Sequence, residues 1–176
     1  MSTTEALVRA LWAPSVPGEV FAILDAARDP QIQPSLGRCD LEYACLYDQP
    51  DEELASVAPY LVRLRPWSPY TNWLFEAGWG QAWGVLLTAT APLQQLRRHF
   101  RRFLLVRDED GQQLYFRYYD PRVLRVYLPT CTAEEASLVF GDVTRFFAES
   151  DDGTRLVEFE RAVDGARVRD VRVVRG

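Results

Sequence analysis

The stretch PLQQLRRHFRRFLLVRDEDGQQLYFRYYDPRVLRVYL, residues 92–128, decides the fold class. Leu93, Leu96, Phe100 and Phe103 recur at helical spacing, so 92–103 reads as an amphipathic helix with a solvated basic face. An apolar run, the turn Asp108-Glu109-Asp110-Gly111 and a second run from Leu114 then read as a hairpin over 104–119. Asp120 before Pro121 is an N-cap with proline in the first turn, opening a helix over 121–128 that Pro129 ends. Helix, hairpin and helix in succession break the regular alternation of a parallel α/β protein. The expected class is α+β, a mixed or antiparallel sheet with flanking helices.

Toward the N-terminus, Val85–Thr88, Tyr60–Leu64, Leu41–Leu46 and Val20–Leu24 read as strands, the last a compact apolar run suited to burial. Ser68, Pro69 and Gly78 supply the cap, first-turn proline and stop of a helix. Asp51 caps a short helix ending near Ala58, residues 4–12 form another, and Ala26–Gly37 is a proline-punctuated loop or broken helix. Toward the C-terminus, Thr132 and Glu135 make a capping box for a helix to Phe140. Strands at Arg145–Glu149, Leu156–Arg161 and Val168–Val174 follow, with turns at Asp152-Gly153 and Asp164-Gly165. Beyond Ser150 charged and apolar residues alternate, as in a half-exposed ribbon. The division expected is an α+β domain over 1–149 and a C-terminal β-ribbon over 150–176, packed on that core or forming a small lobe.

With 176 residues, 48% apolar and 12% aromatic, the chain can bury a sizeable core. Its net charge of -5 argues against a dedicated nucleic-acid binder, which needs a basic surplus. All 20 basic residues are arginine, a pattern that fits coding bias and favours bidentate contacts with carboxylate partners. The N-terminus lacks the basic start and longer apolar stretch of a secretory signal, and no window suits a membrane span. A cytoplasmic protein is expected, and its three cysteines are expected as reduced thiols.

Catalytic signatures are scarce. The single histidine, His99, lies among arginines, and no nucleophile signature surrounds any Ser or Cys. Cys39, Cys45 and Cys131 lack the paired two- to four-residue spacing of a zinc site. The glycines of Gly78-Trp79-Gly80 and Gly84 form no phosphate loop and read as room for the indoles of Trp79 and Trp83. Glu52-Glu53 and Glu134-Glu135 open helices, where they complement the dipole. No catalytic, metal or cofactor residue is assigned. The concentrated charge feature is Arg97, Arg98, Arg101 and Arg102, the solvated side of its helix or a docking face for an acidic partner segment, with nucleic acid as a third reading.

Five phrases carry a resemblance: LDAARDPQIQPSL (24–36), CLYDQPDEELASVAPYLVRLRP (45–66), SPYTNWLFEAGWGQAWGVLL (68–87), LRRHFRRFLLVRDEDGQQLYFRYYDPRVLRVYLPTC (96–131) and FGDVTRFFAE (140–149). Together, from about Phe21 to Glu149, they resemble the domain-of-unknown-function family 4123, the type VI secretion effector chaperones or adaptors. The resemblance implies a non-enzymatic protein with two protein partners, a secreted effector and a VgrG-type spike. No cofactor, nucleic acid or membrane is expected as a partner. An immunity protein that neutralises a toxin, or a small hydrolase with scattered carboxylates, are the alternatives.

Overall fold

An all-apolar strand such as VFAIL, residues 20–24, must be covered on both faces. The computed structural model, which describes residues 1–173, places it inside a seven-stranded sheet, third in order from one edge. Strand β1 (Glu19–Asp25) runs antiparallel between β3 (Pro59–Arg63) and β4 (Gly84–Ala89). The sheet order is β2-β3-β1-β4-β7-β8-β9, with β2 at Tyr43–Cys45, β7 at Val143–Glu149, β8 at Arg155–Ala162 and β9 at Gly165–Arg172. Every pairing in it is antiparallel, so the fold is α+β with helices on both sides.

Alternation along the strands builds two cores. Phe21, Ile23, Leu61, Val85 and Leu87 face α5 (Leu93–Arg101), α6 (Pro121–Tyr127) and α7 (Ala133–Phe140), meeting Leu96, Phe100, Leu124 and Phe140. Val20, Ala22, Leu24, Val62 and Leu86 face α1 (Thr3–Leu11), α2 (Ile32–Leu36) and α4 (Pro69–Gly78), meeting Leu7, Leu11, Ile32 and Leu74. Helix α3 (Glu52–Ser56) buries none of its residues.

Several expected elements are shorter in the structure. The helix over 92–103 ends at Arg101, because Phe103 and Leu104 turn toward the core. The hairpin over 104–119 shrinks to β5 (Leu105–Arg107) and β6 (Gln113–Tyr115), a two-stranded ribbon separate from the main sheet. The cause is Tyr118 and Tyr119: both are buried, and consecutive strand residues cannot point to the same core. The chain therefore leaves the strand and turns, Asp120 N donating to the Arg117 carbonyl. The strand expected over Leu41–Leu46 is limited to β2. Broken-helix character over 26–37 resolves into α2.

Strands β8 and β9 continue the main sheet beside β7, with Phe159 paired to Phe146. Their hairpin closes on the pair Ala162 and Gly165, so Val163 and Asp164 form the turn, one residue earlier than the Asp-Gly pair predicts. Gly165 is needed there: its φ is +140°, and a Cβ would lie 2.6 Å from the Cys131 carbonyl oxygen. The last expected residue of this strand, Val174, lies outside the described residues.

Both side-chain caps that frame the decisive motifs are present. Ser68 accepts from Thr71 N, and Asp120 accepts from Arg122 N at 2.9 Å while its other oxygen takes Arg122 Nη2 at 2.6 Å. Burial acts to raise the Asp120 carboxyl pKa, but the hydrogen bonds from Arg122 outweigh it and hold it below its ordinary value. Asp120→Ala is expected to lower stability by about 0.5–2 kcal/mol. Urea melting checks this, and an unchanged midpoint would remove Asp120 from the cap.

Candidate protein-binding surface

The hairpin β5–β6 has apolar residues in both registers: Leu105 opposite Tyr115, and Val106 opposite Leu114. A ribbon with one covered face can bury only one of these rows. Here all four side chains are exposed, Tyr115 at 67%. Beneath them the hairpin is anchored by aromatic packing. Tyr118 stacks on Phe100 with centroids 5.8 Å apart and donates its hydroxyl to the Phe100 carbonyl at 3.0 Å. Phe116 meets Tyr127 edge-on at 4.7 Å. The base is packed while the outer surface is apolar and exposed.

Beside the hairpin, Leu46, Tyr47, Pro50, Leu54, Leu104, Leu105 and Tyr115 line an open cleft of about 260 Å³, rimmed by Asp48 and Arg101. Tyr47 packs against Tyr115 at 6.3 Å. The cleft suits one or two anchoring side chains of a protein partner, being smaller than typical drug-sized pockets of roughly 300–1,000 Å³.

The four arginines of α5 and its C-cap divide into two pairs. Arg97 and Arg101 turn to the end of β2 and the loop after it: Arg97 Nε donates to the Cys45 carbonyl at 2.7 Å, and Arg101 lies 3.4 Å from Asp48. Arg98 and Arg102, one turn apart, point to solvent without a salt bridge among the described residues. One pair holds a loop against the helix, while the other is free for a partner. His99 faces neither pair. Its Nε2 lies 2.8 Å from the Val139 carbonyl, and burial is the main cause that lowers its pKa.

A second polar cluster sits at one end of the sheet. Asp25 is buried and ion-paired to Arg117. Glu149 accepts from Gly80 N at 2.5 Å and Ala82 N at 2.7 Å, and Arg125 donates to its carbonyl. These bonds hold the loop before β4, in which Ala82 has φ +54°. Burial raises the Glu149 pKa, and the two N–H donors partly offset it. Every carboxylate of this cluster is already engaged by a backbone donor or a guanidinium. Burial likewise raises the pKa of Cys39, Cys45 and Cys131. Among the described residues no group of three or more His, Cys, Asp or Glu is placed to hold a metal ion. No described helix is long and apolar enough to cross a membrane.

The sequence reading singled out the arginines and missed the hairpin surface. The signal was available, since apolar residues in both registers of a hairpin cannot all be buried. The glycines among the tryptophans also differ in role. A Cβ at Gly78 would strike Trp83 Cε3 at 2.5 Å, as expected for an indole-packing glycine, whereas at Gly84 it would strike the Ile23 carbonyl oxygen.

No curated protein and no solved structure matches the chain. The family model DUF4123, described as a domain of unknown function, matches residues 20–138, from β1 into α7. The phrase at 140–149 and strands β7 to β9 lie beyond that span. As the match covers more than half of the 176 residues, the chain belongs to the DUF4123 family.

Proposed function

We propose that this protein is a chaperone or adaptor that binds a secreted toxic effector and helps attach it to a VgrG-type spike of type VI secretion. It acts in the cytoplasm of the producing cell and needs no cofactor. Membership of DUF4123 supports the reading, and the observation that carries it is the exposed apolar hairpin with Arg101 on the rim of the cleft beside it. Apolar and aromatic anchors with an arginine rim are the composition of interface hot spots. The Asp25, Asp120 and Glu149 cluster is assigned a structural role, because its bonds fix loops and a helix start. An immunity protein would use a similar surface, but it would protect a target cell.

The test is capture of effector and spike by purified variants. Leu105→Asp with Tyr115→Asp is expected to weaken capture at least about tenfold, the scale of one lost hot spot. Arg98→Glu with Arg102→Glu, the pair without a salt bridge among the described residues, should weaken it less, and more at low salt than at high. Both double variants change exposed or half-exposed side chains, so melting should shift by no more than about 0.5 kcal/mol per site. Wild-type capture by both would overturn the assignment of this surface.

A further inference from the structure

We propose that the outer edge of β9 receives an extended acidic segment of a protein partner as an additional strand of the main sheet. The proposal deepens the reading of the chain as a protein-binding protein, and rests on that reading only for which protein supplies the segment.

The two edges of the main sheet are unequal. At one end β2 has three residues, whereas at the other β9 has eight, paired without a register shift to β8. The hairpin closes on Ala162 and Gly165, so alternation directs the N–H and C=O groups of Arg167, Arg169 and Val171 toward β8. Those of Ala166, Val168 and Asp170 face away from it. None of these groups has a backbone hydrogen bond to another described residue. No proline interrupts the strand and no bulge bends it away. Such an edge is a template for strand addition unless its side chains forbid it.

Its side chains select the visitor rather than forbid one. Arg167 and Arg169 share one face, opposite Glu160 and Glu158 of β8. Glu158 is already held by Arg145 at 3.0 Å, and Arg169 lies 3.5 Å from it with its own side chain 71% exposed. Arg167 has no salt bridge among the described residues. A strand with Asp or Glu at alternate positions would place carboxylates about 5 Å from these arginines on the open side. It would repeat there the Glu-against-Arg pattern that β8 makes on the closed side. On the other face, Val168 is 43% exposed and offers an apolar neighbour. A second copy of β9 is disfavoured, because two-fold antiparallel pairing sets arginine faces against each other. The edge also lies beyond residues 20–138, in the part of the chain outside the family match.

The test uses the full chain and two labelled eight-residue peptides, one alternating valine with glutamate and one alternating valine with lysine. Fluorescence anisotropy should show saturable binding of the glutamate peptide, at least tenfold tighter than the lysine peptide and weakened by salt. Val168→Pro removes an outward N–H and no ladder bond, so the fold should melt as wild type while binding falls at least tenfold. Arg167→Glu leaves Arg169 as its single counter-charge on that face, so it should erase the wild-type preference for the glutamate peptide, a second reading should the proline variant fail to fold. Equal binding of both peptides, no binding, or binding unchanged in the variants would overturn the proposal. So would wild-type self-association that Val168→Pro abolishes, since the edge would then belong to a second copy. A chain that binds the glutamate peptide at β9 yet captures no effector keeps this assignment and loses the chaperone reading. One that captures effector but fails the peptide test loses this assignment alone.

Discussion

Phe100→Ala is expected to destabilise the protein by about 3–5 kcal/mol, the cost of removing a buried phenylalanine and leaving a cavity. Phe100 is 1% exposed, stacks on Tyr118, meets Phe146 edge-on at 6.2 Å and accepts the Tyr118 hydroxyl on its carbonyl. It therefore joins α5, the base of the β5–β6 hairpin and β7. Phe103→Ala, which removes a partly buried ring from the same helix region, should cost less. Thermal melting should place the Phe100 variant roughly 10 °C below wild type. A loss under about 1 kcal/mol would mean that the hairpin is not anchored through this ring.

Gly84→Ala should cost about 3 kcal/mol, although the sequence shows an ordinary glycine beside a tryptophan. An added Cβ would lie 2.1 Å from the Ile23 carbonyl oxygen and 3.0 Å from Leu24 Cα, both backbone atoms of the neighbouring strand. Neither can yield without moving β1, which is held by β3 on its other side. Gly80→Ala is the matched control: its φ is +84°, but nothing lies near its added methyl. That variant should lose only about 1–2 kcal/mol of backbone strain. Urea midpoints at constant slope separate the two. Equal losses would contradict the close approach of β4 to β1.

These two sites show what could and could not be read from the sequence. Phe100 was legible because local spacing fixes which side of a helix is buried. The caps at Ser68, Asp120 and Thr132 were legible for the same reason, since each depends on residues within one turn. Gly84 was not, because its role depends on a carbonyl 61 positions away in sequence, Ile23 against Gly84. The shortening of the hairpin was not legible, because Tyr118 and Tyr119 favour a strand by composition but are both drawn into the core. The division of the four arginines likewise depends on where the loop after β2 lies against α5. Charge spacing shows a basic helix, and only packing shows that Arg97 and Arg101 hold that loop.

The chaperone reading is tested most directly by assembling its complex from purified parts. The chain, the protein products of the genes flanking its own and a VgrG-type spike would be mixed and analysed by size-exclusion chromatography with light scattering. Effector and spike are expected to co-elute in one complex only when the chain is present, and Leu105→Asp with Tyr115→Asp to deplete that species. An effector that reaches the spike equally well without the chain would contradict this reading. So would a chain that binds neither protein but hydrolyses a substrate of its own.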